Sequence, residues 1–201
     1  MRAMRMFRGV VLCVMGTVLT VGAAGPEAPD VHGTARAGGH PSADVVVWLD
    51  APNAPAGLQR GKVVLDQRNI TFTPHVLAVR VGTLVDFPND DRVLHNVFSF
   101  RDGKVFDLGL YPVGTRKQVK FDKPGLSRIF CNIHPNMAAY VMAVDSPYFA
   151  VSVDDGTFTI ESVPAGTYTY HAWRAGDTTL ATGTFTNGPD TRLVVEWPQA
   201  K

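Results

Sequence analysis

Along most of the chain, short apolar runs alternate with polar positions, and turn-forming residues interrupt them every few residues. "ADVVVWLD" (43–50) reads as a strand from its run of valines. "KVVLDQ", "ITFTP", "VLAVRV", "TLVDF" and "LHNVFSF" read as further short strands. Gly82 separates the third of these from the fourth, and "PNDDR" the fourth from the fifth. "GTRKQVKFDKPGLSRIFCNI" predicts a hairpin that turns at Pro124–Gly125, and "AYVMAVD" (139–145) closes the series. Asp155–Gly156 predicts a second hairpin between two alternating runs, and "VPAGTY" a turn into another strand. No segment carries a helical period of useful length. Short strands at this spacing predict an all-β protein of sandwich or barrel type.

The N-terminus breaks this pattern. Arg2, Arg5 and Arg8 precede an apolar run over 9–21 that is too short to span a bilayer comfortably. Gly22 and Ala24 then supply small residues at the −3 and −1 positions of a cleavage site. Residues 1–24 are expected to be a signal peptide cut near Ala24, so the mature chain is expected to be periplasmic or secreted. Membrane contact is then expected only during export. An uncleaved anchor is the alternative. A lipoprotein is disfavoured because bulky Leu12 precedes Cys13. Residues 25–42 are rich in Gly, Pro and Ala, and "APNAPAGLQRG" (51–61) reads as a loop or boundary.

Charge narrows the partners. With 19 basic and 18 acidic residues the net charge is +1, and nothing in that balance attracts nucleic acid. Arg116, Lys117, Lys120 and Lys123 form a basic stretch, either a solvated face or a docking strip for an acidic partner. Of the two cysteines, Cys13 leaves with the signal peptide. Cys131 is then a lone thiol in an oxidising compartment, which burial or a metal must shield.

"FCNIHPNMAAY" (130–140) places Cys131, His134 and Met137 at i, i+3 and i+6. Thiolate, imidazole and thioether together suit copper. A structural zinc site would need more cysteines, and a catalytic thiol would need support beyond His134. A buried thiol next to a surface histidine and a core methionine is the plain alternative. Copper electron-transfer sites use two histidines, a cysteine and a long axial methionine, so a second imidazole is required. His32, His40, His75, His95 and His171 are the mature candidates; His95 sits where a loop enters a strand. His171 beside Trp173 could mark a second site, although packing is the commoner role for such a pair.

"FTPHVLAVRVGTLVDFPNDDRVLHNVFSF" together with "FDKPGLSRIFCNIHPNM" resembles the cupredoxins of the plastocyanin and amicyanin group, over residues 62–147. The spacing of the last three candidates is that of the short amicyanin loop, and the chain resembles proteins labelled methylamine utilisation proteins. The resemblance implies a Greek-key β-sandwich holding one type 1 copper per chain. It implies His95, Cys131 and His134 as strong ligands, Met137 as the axial one, and the Asn96 backbone N–H aimed at the Cys131 sulfur. Phe87, Phe98 and Phe130 are expected beneath the site. The implied role is transfer of single electrons between redox partner proteins that dock near His134, bordered by Pro135 and Asn136, with no substrate turned over. The rivals are a periplasmic copper carrier or storage protein, and a β-sandwich binding or assembly module with an accessory copper. A multicopper oxidase would need His-x-His pairs, and a binuclear purple site a second loop cysteine.

"FAVSVDDGTFTIESVPAGTYTYHAWR" resembles the transthyretin-like, carboxypeptidase regulatory-like sandwich, and "VHGTARAGGHPSADVVVWLDAP" resembles the beginning of that module. This implies one small β-sandwich formed by 30–57 with 148–201 and split by insertion of the cupredoxin. The alternative is that 43–50 pads the cupredoxin while 148–201 form a sandwich alone.

Overall fold

The computed structural model describes residues 28–52, 54 and 61–197, and every regular element among them is a strand. The expected leader at 1–24, with Cys13, lies outside the described residues. The chain begins with β1 (Val31–Ala37), β2 (His40–Pro41) and β3 (Val45–Leu49). Ten strands follow: β4 (Val63–Val64), β5 (Asp66–Arg68), β6 (Thr71–Thr73), β7 (Val76–Arg80), β8 (Thr83–Pro88), β9 (His95–Ser99), β10 (Phe106–Tyr111), β11 (Arg116–Phe121), β12 (Gly125–Phe130) and β13 (Ala138–Val144). The last five are β14 (Phe149–Val151), β15 (Thr157–Ile160), β16 (Gly166–Arg174), β17 (Ala181–Asn187) and β18 (Arg192–Trp197).

Strand pairing sorts these elements into two bodies. In the inner body, a sheet of order β10-β9-β12-β13-β7 faces a sheet of order β11-β8-β4, with the small ribbon β5-β6 alongside. In the outer body, β15-β1-β18 carries β2 on β1 and faces β14-β3-β16-β17. The first strands of the chain therefore pair with the last: β1 runs parallel to β18 and antiparallel to β15, and β3 lies between β14 and β16.

Alternation explains which residues fill each core. In the inner body Val97, Ile129, Cys131, Ala139 and Val141 from one sheet meet Val85, Phe87, Val119 and Phe121 from the other. Full burial of an aromatic such as Phe87 contributes about 2–3 kcal/mol. In the outer body Val31, Ala35, Phe158 and Val195 meet Val45, Val47, Leu49 and Ala172. The valine run of β3 is apolar on both faces because it is buried on both. Val45, Val47 and Leu49 enter the outer core, while Val46 and Trp48 pack on a seam with Tyr140, Met142 and Val144 of β13.

Two expected hairpins turn out to be crossings. A turn forms at Pro124–Gly125, but β11 pairs with β8 while β12 pairs with β9 and β13. Val119 and Phe121 approach the inner core from one side and Ser127 and Ile129 from the other, so the chain must pass over the core edge. Gly125 has φ 131°, and a Cβ there would lie 3.3 Å from the Gly103 Cα. At Asp155–Gly156 the turn closes with a Val153 N–H to Thr157 carbonyl bond of 2.9 Å. The flanking strands then part, β14 to β3 and β15 to β1, because both must face the outer core from opposite sheets.

One buried carboxylate ties the smaller inner sheet together. Asp86 on β8 accepts from Gln118 and from Arg116 Nη1 at 2.9 Å, both on β11, and Lys62 Nζ lies 3.3 Å away. Burial pushes its pKa up, but the bonds from Gln118, Arg116 and Lys62 outweigh that and hold it below 3.8. The stabilisation is therefore present above the ordinary carboxylate range and is lost as pH falls through the lowered folded value. Asp86→Asn is expected to cost about 1–2 kcal/mol at pH 7. Urea unfolding at pH 7 and pH 3 should show a smaller acid loss for the variant than for the parent.

Candidate metal centre

Cys131 continues the inward parity of Ser127 and Ile129 beyond the end of β12, so its thiol points into the inner core. The following loop closes on itself. The Met137 N–H donates to the His134 carbonyl at 2.9 Å, and the Cys131 N–H donates to the Met137 carbonyl at 3.3 Å. Pro135 and Asn136 occupy the exposed tip. His95 opens β9 opposite Tyr111 and is 0% exposed; Cys131 is 5% and Met137 1% exposed.

Three donor atoms converge at this end of the inner body. His95 Nδ1 lies 3.1 Å from His134 Nδ1, and the Cys131 Sγ lies 4.0 Å from the first and 3.5 Å from the second. A triangle with these edges has its centre about 2 Å from each corner, the length of a metal–nitrogen bond. His95 Nε2 is committed elsewhere, 2.9 Å from Asp91 Oδ2. With the ring proton on Nε2, the Nδ1 lone pair is left facing the thiol and the second imidazole. One soft and two borderline donors, mutually facing, with His95 and Cys131 buried and His134 partly so, fit a copper ion. Among the described residues this is the cluster with metal-holding geometry. Met137 shares the core cluster of Cys131 and is tied through its backbone to both loop donors.

The other histidines have separate partners. His75 Nδ1 lies 2.6 Å from Asp44 Oδ2, His171 lies between Asp50 and Thr182, and His32 faces Thr159. His40 falls on β2, away from the cluster. Asn96 is buried next to His95, and its side-chain amide donates to Asp107 Oδ1 at 2.7 Å. The three phenylalanines divide. Phe87 lies in the core cluster of Cys131, as expected, but Phe98 and Phe130 do not. Counting by twos from His95 and Cys131 puts both on the opposite sheet face, where they stack with exposed Phe100 at 5.7–6.1 Å. Of the basic stretch, Arg116 is held by Asp86, and Lys117 by the Leu108 carbonyl and the Tyr111 ring.

No family model matches this chain, and no curated protein matches it. Several solved structures do. A purple cupredoxin from Nitrosopumilus maritimus is 27% identical at a TM-score of 0.38, over 41% of this chain and 100% of that one. A copper-containing nitrite reductase from Thermus scotoductus SA-01 is 27% identical at a TM-score of 0.40, over 48% of this chain and 25% of the reductase. A reduced amicyanin variant is 21% identical at a TM-score of 0.39, over 48% of this chain and 99% of amicyanin. Each of these three is matched over less than half of this chain.

Three residues around the centre were not singled out from the sequence. Asp91 accepts from the Ile70 N–H at 2.7 Å, from the Arg92 N–H at 2.7 Å and from His95. Led by the Ile70 bond, these lower its carboxyl to about 2. Asn89 Nδ2 donates to the Val93 and Tyr111 carbonyls and Asn89 Oδ1 accepts from the Asp91 N–H, so one buried amide sets the loop that delivers His95. Tyr111 donates to the Phe87 carbonyl at 3.1 Å, and burial pushes its phenol up to about 12. If copper is held at this centre, Asp91→Ala is expected to weaken its retention by about ten- to a hundredfold by freeing the His95 ring. Competition against a chelator of known affinity measures this.

Proposed function

We propose that this chain is an exported type 1 copper protein that carries single electrons between redox partners. The convergence of His95 Nδ1, His134 Nδ1 and the Cys131 Sγ within 4.0 Å carries the reading. Met137 takes the axial role in this proposal, supported by its burial beside Cys131. Copper bound there would alternate between Cu(I) and Cu(II), which supplies one-electron chemistry. The chain supplies rigidity: the thiol sits at a strand end, the loop is closed by two backbone bonds, and Asp91 fixes the His95 ring. A site held this firmly changes little between oxidation states, which favours rapid electron transfer.

His134 is less buried than His95, and exposed apolar residues surround its loop. Ile133 lies beside it, Val93 and Leu94 precede His95, and Val113 lies on a loop tied to Asn89 by the Gly114 N–H. This collar supports docking of a redox protein near His134. Export to the periplasm or beyond is supported by the basic, apolar and small-residue order of residues 1–24. We read the outer body as a regulatory-like sandwich interrupted by the copper body, a reading supported by the pairing of β1 and β3 with β14, β15, β16 and β18.

The test is to add Cu(II) to the purified mature protein and record visible and EPR spectra. An intense blue thiolate-to-copper band supports the proposal, and a colourless product overturns it. Voltammetry then separates an electron carrier from a copper carrier. A reversible one-electron wave with slow loss of metal to a chelator fits the first, and rapid metal exchange fits the second.

A further inference from the structure

A cleft of about 500 Å³ opens on the seam between the two bodies, apart from the candidate metal centre. That volume is in the range of small-molecule sites, which favour such junctions. Its floor is apolar: Leu126 and Met142 from the inner body, Trp48 and Trp173 from the outer. The Trp48 ring is held in place by stacking on His171 at 5.3 Å between centroids.

The rim is acidic. Asp50, Asp102, Asp145 and Asp177 line it against one guanidinium, that of Arg128. Two of these carboxylates have an arginine beside them, only the first of them hydrogen-bonded. Arg174 holds Asp177 through two bonds of 2.9 and 3.0 Å, and Arg128 Nε lies 3.6 Å from Asp102. The other two face no lysine or arginine among the described residues. Asp50 meets His171 Nε2 at 3.0 Å, and exposed Asp145 makes no side-chain bond among the described residues. Ser146 Oγ donates to the Leu49 carbonyl at 2.6 Å, which draws Asp145 and Asp50 to the same part of the rim.

An indole face attracts a cation, and two carboxylates, Asp50 bonded to the His171 ring and Asp145 exposed, add to that attraction. An anion would be repelled there, and a neutral molecule would gain only the apolar contact. We propose that this cleft binds a small organic cation, with its apolar body against Trp48, Leu126 and Met142 and its charge between Asp50 and Asp145. The copper ligands take no part, so copper-loaded and copper-free protein bind alike.

The probe is benzyltrimethylammonium, titrated against the purified mature chain while tryptophan fluorescence is followed. Its neutral carbon isostere, neopentylbenzene, and the anion phenylacetate serve as comparisons. The expected result is a saturable response to the cation, weaker binding of the isostere and none of the anion. Asp145→Asn weakens the cation by about fivefold and leaves the isostere unchanged. Trp48→Ala weakens both. The proposal is overturned if the cation gives no saturable response, if the isostere binds as tightly, or if Asp145→Asn binds the cation as well as the parent does. A protein that fails to turn blue with copper still answers this test, so the two proposals fail separately.

Discussion

On the proposed type 1 copper reading, exchanging Cys131 for serine is expected to abolish the blue absorption of the copper-loaded protein completely. Cys131 is the free cysteine among the described residues, and its Sγ is the sulfur corner of the donor triangle. A thiol bound to a metal loses its proton near neutral pH and donates charge to copper. A serine hydroxyl stays protonated and hard, and cannot give that transition. The two imidazoles and Met137 remain in place, so weak copper binding without the colour is the expected residue. The exchange is also nearly isosteric at a position that is 5% exposed, and the hydroxyl retains the neighbouring His134 Nδ1 as a hydrogen-bond partner. Stability should therefore change by only about 1 kcal/mol. Parent and variant are to be compared by visible and EPR spectra after copper addition, with urea midpoints as the control for folding. Colour that survives the exchange would remove Cys131 from the site.

The candidate donor loop was legible in the sequence because its chemistry is local. Cys131, His134 and Met137 lie within seven residues, and the turn that gathers them is marked by Pro135–Asn136. His95 was legible only through the requirement for a second imidazole. The residue that orients it, Asp91, was hidden in an ordinary acidic turn, since "PNDDR" does not say which carboxylate folds back onto the ring. The places of Phe98 and Phe130 follow from counting by twos from His95 and Cys131, a parity that the bare motif obscures.

Strands were legible where alternation was clean and obscure where the ladder is irregular. β10 had no strand signature because its register shifts between Asp107 and Leu110 and Gly109 sits at φ 64°. The turns at Pro124–Gly125 and Asp155–Gly156 were visible as turns. Turn chemistry fixes a reversal of direction but not the sheet to which the next strand belongs; that depends on which face of the core is still uncovered. The double-sided burial of β3 likewise depends on β13, which lies about ninety residues away in the chain.

Gly33→Ala is expected to destabilise the outer body by about 3 kcal/mol. Gly33 lies in β1 between Phe158 of β15 and Leu193 of β18. A Cβ there would sit 2.2 Å from the Phe158 Cζ and 2.6 Å from the Leu193 carbonyl oxygen. The ring cannot swing away without leaving the outer core, and the carbonyl belongs to the β18 backbone, so the ladder itself must open. The three tryptophans, Trp48, Trp173 and Trp197, all lie on outer-body strands, whereas the proposed copper ligands belong to the inner body. Tryptophan fluorescence therefore reports the outer body together with the seam, and the copper band of the proposed site reports the inner body. In the variant the tryptophan transition should move to lower urea, with the copper band following only as far as the seam of Val46, Met142 and Trp173 couples the bodies. An unchanged tryptophan transition would show that β1 can yield at Gly33. Equal shifts of both transitions would mean that the bodies unfold as one cooperative unit, so that β1 and β3 with β14 to β18 clamp the inner body itself.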